Sequence, residues 1–344
     1  MITHSSFTLP SLIAVLVAVF LVSPFALAQP AAPESDPALR LPELKAGEWF
    51  DEKAANFLTR SKRVAVAGFK VIFVNETFAR ATVRASYMPG RDTSGASAAM
   101  QVNLAGVDAA TLQSLTDQAY ARFVAQLRAA GREVVTAADA KWDYSEFQSA
   151  PVPADVSEGD TKGTAFSPTG MPLWFQISEF GGPRMEQTNG RAMGTASFKA
   201  GAPIMLATTV VVNFAQMASS GNRSGLVART AEVGTTLAMS VRRIDTRLVR
   251  AEEVKSGILY RGDEAWLRLT KPLVTDLEFA VLKVAEKDHG TGVGGFLSRA
   301  FVGTGKTAFR RAETTNGEYS KAATAVLERA TGTLAKLFAE NAPQ

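Results

Sequence analysis

The chain has 344 residues, no cysteine, 37 Lys and Arg against 33 Asp and Glu, and a formal net charge of +4. The lack of cysteine excludes disulfides, a thiolate nucleophile, Cys-ligated zinc and a lipid-modified N-terminal cysteine. The basic excess is mild and scattered over Arg80, Arg84, Arg242, Arg243, Arg310 and Arg311, with no interleaved aromatics, so a nucleic-acid partner is not expected. Weak attraction to anionic lipid, lipopolysaccharide or peptidoglycan is compatible with it.

In chain order, the first feature is LIAVLVAVFLV at residues 12–22, followed by Pro24 and Ala26-Leu27-Ala28. An apolar run of this length before a small-x-small site reads as a secretory signal peptide over 1–28, too short for a membrane span. No Lys or Arg precedes the run, so the alternative is an uncleaved N-terminal anchor. The expected location is the periplasm, with or without outer-membrane association. Residues 1–28 contain no Asp, Glu, Lys or Arg, so cleavage leaves the net charge unchanged. A cysteine-free exported chain needs a core that stands alone, and 46% apolar content is enough to build one.

Residues 29–60 form a Pro/Ala-rich lead-in, ending in an apolar-charged stretch, 49–58, suited to one or two helical turns. A single α/β domain is expected over 61–341. RVAVAGFKVIFV, residues 63–74, is β-branched and apolar throughout, the signature of a central strand buried on both faces. Over 78–88 the period is two: Ala79, Ala81, Val83, Ala85 and Tyr87 share one face, and Phe78, Arg80, Thr82, Arg84 and Ser86 the wet one. Turn chemistry at 89–95 and a returning segment at 98–106 predict a hairpin. Asp108 is placed to cap a helix whose apolar face carries Leu112, Leu115, Ala119, Phe123, Val124 and Leu127, with Gly131 as the stop. Val134-Val135 opens a short strand. Residues 150–202 are rich in Pro, Gly, Ser and Asp and read as an irregular excursion on the surface, with MPLWFQI at 171–177 its one strand-like island. IMLATTVVVNFAQM, 204–217, is a second core strand. Residues 231–245 alternate strictly, with Ala231, Val233, Thr235, Leu237, Met239 and Val241 on one face; one polar face argues antiparallel pairing with 204–217. Residues 258–260 and 266–269 suit short strands. Leu273, Leu277, Ala280, Val281 and Val284 fit a helix, 290–305 is a glycine-rich loop, and 319–341 closes the chain as an amphipathic helix. The expected class is therefore α/β: a mixed sheet with amphipathic helices packed on it and at least one long β-hairpin extension.

Catalytic and nucleotide signatures are weak within this frame. Ala300, four residues and Gly305-Lys306-Thr307 make a relaxed Walker A pattern. A phosphate-cradling loop needs a buried strand before it and a helix after it. GTGVGGFLSRAF before it is no strand, so no nucleotide is expected despite Gly305-Lys306-Thr307. Gly292, Gly294 and Gly295 likewise follow no buried strand. Of two histidines, His4 lies in the signal segment, and His289 sits beside the glycine loop, where a solvated role is expected. A histidine-rich metal site is excluded by count, and there is no G-x-S-x-G elbow. Glu252-Glu253 and Asp139 near Asp143 read as solvated acidic pairs. No cofactor and no enzyme activity are expected.

Together, RVAVAGFKVIFV, LTDQAYARFVAQLRAAGREVV, IMLATTVVVNFAQM, AEVGTTLAMSVRRIDTRLVRAEE and the terminal amphipathic helix resemble the periplasmic α/β domain of the curli-secretion-channel superfamily of outer-membrane assembly proteins. Channel-forming members are typically lipoproteins, whereas this chain has no cysteine, and its 78–104 hairpin precedes the main helix. The resemblance implies an exported, non-enzymatic assembly or scaffold protein with protein partners or self-association. The alternatives are an oligomeric outer-membrane secretion-channel subunit, with the 78–104 hairpin joining a barrel, and a periplasmic ligand-binding protein or hydrolase. Candidate surface residues are Arg80 and Arg84 on the wet hairpin face, Trp174 and Phe175 in the excursion, and Phe296 and Phe301 in the glycine loop.

Overall fold

The structure is a computed structural model that describes residues 46–50, 55–83, 86–88, 91–93, 96–140, 144–176, 186–201, 203–222, 230–251, 263–285 and 306–343. The N-terminal 1–45, Arg84, Asp143, Glu252, Glu253, 258–260, His289, the glycine-rich 290–305 with Phe296 and Phe301, and so the expectations placed on them, lie outside the described residues.

Short helices α1 (Ala46–Trp49) and α2 (Ala55–Leu58) precede the 21-residue strand β1 (Arg63–Val83). A small ribbon of β2 (Ser86–Met88) and β3 (Arg91–Thr93) then leads to β4 (Ala96–Ala105). Next come α3 (Ala109–Ala129), β5 (Glu133–Val135), α4 (Ala137–Ala140), β6 (Ser149–Ala150), β7 (Ala154–Glu158), β8 (Thr161–Phe166), β9 (Leu173–Trp174) and α5 (Glu186–Lys199). The long strands β10 (Ile204–Asn222) and β11 (Thr230–Arg250) follow, then β12 (Asp263–Arg268), β13 (Leu273–Val274), β14 (Val281–Val284), β15 (Lys306–Glu313) and α6 (Asn316–Glu340). Eleven strands form one mixed sheet, whose main path runs β12-β11-β10-β1-β4-β15-β14. This is the expected α/β architecture with hairpin extensions.

The two apolar runs lie side by side. Val64–Phe73 of β1 pairs in parallel with Ile204–Val212 of β10, and both stretches are buried throughout. A strand buried on both faces needs a layer on each side. On one side α3 and α6 contribute Phe123, Leu127, Leu334 and Phe338 to the main core with Val64, Val66, Phe69 and Phe73. On the other, Ala192 and Met193 of α5 and Trp174 cover Ala65, Ala67, Met205 and Ala207.

Local chemistry fixes the helix ends. Asp108 accepts the Thr111 N–H at 2.7 Å and is the expected N-cap of α3. Asn316 ties it to α6: its amide donates to Asp108 Oδ2 at 2.6 Å, and the Asp108 N–H donates to Asn316 Oδ1 at 3.0 Å. Thr315 is the N-cap of α6: its hydroxyl accepts the Glu318 N–H at 3.3 Å and donates to Glu318 Oε2 at 3.0 Å, so the helix begins three residues ahead of the expected Tyr319. At the other end of α6 the buried Arg132 donates to the carbonyls of Phe338, Asn341, Leu58 and Ser61 at 2.6–3.0 Å. Burial pulls its guanidinium down to about 10, so it stays cationic at neutral pH. One side chain thus joins the α6 terminus, α2 and the β5 connection.

Three expectations are corrected. The 150–202 excursion is not a surface loop: β8 pairs antiparallel with Val71–Thr77 of β1, β7 pairs with β8, and Met171, Leu173, Trp174 and Phe175 are buried. Gly163 permits this, because a Cβ there would lie 2.8 Å from the Phe73 carbonyl oxygen. The helix expected over 273–284 is instead β13, an extended connection and β14, since β11 and β15 offer open edges that pair with them. Finally, Phe50, Phe57 and Leu58 are core residues, so the packed unit begins ahead of residue 61.

Candidate interaction surface

Strand directions place three hairpins at one end of the sheet. β10 runs parallel to β1, so Val83 and Asn222 point the same way. β4 is antiparallel to β1 and β15 parallel to β4, so Ala96 and Lys306 start at that end. β14 is antiparallel to β15, so Val284 ends there. The pairs β1/β4, β10/β11 and β14/β15 therefore open toward one end. Glu76 and Thr77 pair with both β4 and β8, which puts those strands on opposite edges of β1.

In this distal half the burial changes character. Ala81 is buried while Arg80 and Thr82 are exposed, as the period of two predicts. On β11, Ala231, Val233, Thr235 and Leu237 are half-buried, and Glu232, Gly234 and Thr236 are exposed. Their antiparallel partners run from Ala215 to Gly221 on β10. Among the described residues of β1 and β11 here, the face open to solvent is thus polar or glycine, and the alternate face is mostly apolar, an alternation that a solvated hairpin shares with a barrel strand.

β14 departs from this rule. All four of its residues are exposed, with Val281 at 64%, Leu282 at 36% and Val284 at 74%. It ends the main path of the sheet, and among the described residues no strand pairs with its outer edge. An exposed apolar edge strand presents a row of open backbone N–H and C=O groups to another chain. Lys283, paired with Glu313 across the hairpin, is its only charged residue.

The candidate residues separate accordingly. Arg80 is exposed on the distal wet face of β1. Trp174 and Phe175, at 2% and 0% exposure, form no surface. Gly68 explains Trp174: a Cβ there would lie 2.6 Å from the indole Cζ2, so only glycine lets the ring lie on β1. The indole N–H donates to the Ala67 carbonyl at 3.3 Å, and buried Lys70 donates to the Trp174 carbonyl at 2.9 Å. Val281 and Val284 escape a sequence reading of the surface because, with Leu273, Leu277 and Ala280, their spacing fits a helix. The available strand signal is the run Val-Leu-Lys-Val itself, β-branched at two of its four positions.

Lys306 and Thr307 open β15, so the strand follows the Gly-Lys-Thr where a phosphate-binding loop requires a helix. Asp139 is exposed and held below the ordinary carboxylate range by its bonds from the Thr136 hydroxyl and backbone N–H. Among the described residues no three His, Cys, Asp or Glu side chains cluster as metal ligands, and no helix is long and apolar enough to cross a membrane.

Fold and surface define a mixed α/β base bearing hairpins, with one apolar sheet edge. Comparison with protein-family models, with curated proteins and with solved structures gave no match.

Proposed function

We propose that the chain is an exported, non-enzymatic assembly or scaffold protein of the periplasm or outer-membrane surface that binds protein partners, or itself, by strand pairing at β14. The single observation that supports association is the apolar edge strand Val281–Val284, whose four residues are all exposed. Export is supported by the apolar run at 12–22 and the Ala26-Leu27-Ala28 site. A second reading, a channel subunit, draws on the three hairpins that open toward one end of the sheet. The apolar face of the 78–88 alternation is mostly alanine, Ala79, Ala81 and Ala85, thin for a lipid-facing band, which favours the first reading over the second.

The test is fractionation of the tagged full-length chain, then sizing with light scattering, with and without detergent. Export predicts recovery from the periplasm or envelope; recovery from the cytoplasm ends that reading. Association predicts a species larger than the monomer without detergent, reduced to monomer by Val281→Lys/Val284→Lys. A wild-type monomer that pulls down nothing more than the double variant does would sink the edge-pairing proposal. A large species formed only in detergent would support the channel.

A further inference from the structure

The sheet face under α5 holds an unusual polar group. Cross-strand register sets Gly68, Ala207, Arg247 and Trp266 in one row and Lys70, Thr209, Asp245 and Arg268 in the next. Arg247 is 3% exposed. Its Nη2 donates to Glu264, and its guanidinium lies 5.4 Å from the centre of the Trp266 ring. Arg268 approaches the same ring at 5.1 Å. Yet Nε and Nη1 of Arg247 are buried and make no hydrogen bond. Buried cationic donors left unpartnered are costly, and native proteins rarely leave them so without an unseen partner. Asp245, the carboxylate in the adjacent row, is engaged by Arg243 Nε at 2.5 Å and approached by Arg268 Nε at 3.7 Å. Glu264 gives Arg247 one bond and leaves the other two nitrogens open.

We propose that Arg247 marks a binding site for a small oxyanion, a carboxylate or phosphate group, held on Nε and Nη1 beside the Trp266 ring. Arginine is suited to such a site, because its planar guanidinium carries several fixed donors, remains charged when buried and stacks on aromatic faces. Arg268 beside the same ring adds positive charge at the rim of the site. The site is separate from the β14 edge and does not depend on the association reading.

The experiment is calorimetric titration of the full chain with inorganic phosphate and, separately, with acetate, in a buffer free of both. Variants are Arg247→Met/Glu264→Gln, which removes both members of the buried pair, and Arg268→Gln. Circular dichroism and thermal unfolding verify that each is folded. Saturable binding that falls roughly tenfold to hundredfold in the folded double variant is expected, the loss of charge-assisted hydrogen bonds. Phosphate binding alone identifies a phosphoryl ligand, acetate binding alone a carboxylate, and either supports the site. No binding of either anion to the wild type overturns it, as does binding lost in Arg268→Gln but unchanged in the double variant. Should the double variant not fold, Arg247→Lys serves: it keeps the charge and loses Nε and the fork, so unchanged affinity there also overturns the site.

Discussion

The lower and upper halves of β1 make opposite use of one strand. Val64–Val74 is buried residue after residue between α3 and α6 on one side and α5 and Trp174 on the other. Asn75–Thr82 is only partly covered, with Asn75, Arg80 and Thr82 exposed, and pairs with β4 and β8. β10 divides likewise, buried through Ala215 and then largely open from Gln216. The base is held by interdigitated side chains on two faces, where any change of volume or lost polar partner is felt. The extension is paired strand to strand and leaves side chains such as Arg80, Thr82, Glu232 and Thr236 exposed. The same long strands therefore serve as core at one end and as presented surface at the other.

This contrast can be broken most forcefully at Arg132. Arg132→Ala strips four carbonyls of a buried cationic donor, and urea unfolding should register a loss of about 3–5 kcal/mol. Gly68→Ala drives a methyl into the Trp174 ring, and the expected loss is about 1–3 kcal/mol, with altered Trp fluorescence. An unchanged midpoint would mean the indole does not lie on β1. Tyr319→Phe tests the base with the opposite sign. Its hydroxyl is fully buried, desolvated and without a hydrogen-bond partner, so removing it should leave stability equal or raise it by up to about 1 kcal/mol. A clear loss would show that the hydroxyl has a partner.

Asp108 gives a milder, pH-dependent effect. Its carboxylate is held below the ordinary 3.8, chiefly by the Thr111 backbone N–H. A depressed acid stabilises the fold above its unfolded value, and that contribution fades as pH falls through the lower folded one. Acid unfolding of Asp108→Asn should therefore be less steep than that of the wild type in this window. At the upper half of β1, Arg80→Ala should move the unfolding midpoint least, within about 0.5 kcal/mol. A larger cost would show that the extension is packed like the base.

Much of the frame was legible because it depends on local periodicity. The unbroken runs at 63–74 and 204–217, the alternation at 231–241, the apolar spacing of Leu115 to Leu127 and the cap at Asp108 each declare an element without reference to the rest of the chain. The misreadings share one cause. Leu273, Leu277, Ala280, Val281 and Val284 match a helical spacing by coincidence, and the edges of β11 and β15 overrode it. Thr161–Phe166 has little strand signal of its own; the open edge of β1 and the room left by Gly163 recruit it. Trp174 and Phe175 look like surface aromatics in a Pro/Gly-rich stretch, and only the gap at Gly68 shows where the indole goes.

The sequence by itself determined which segments are strand or helix wherever the apolar period is long, because burial of one face is written into every turn or pleat. Tertiary structure decided what no single segment encodes. It chose which strand edges pair, turned three hairpins toward one end of the sheet, left β14 uncovered and drew Arg247 beside Trp266 with donors to spare. Those outcomes depend on contacts between residues far apart in the chain, whose backbone groups and charges must find partners in space rather than in sequence.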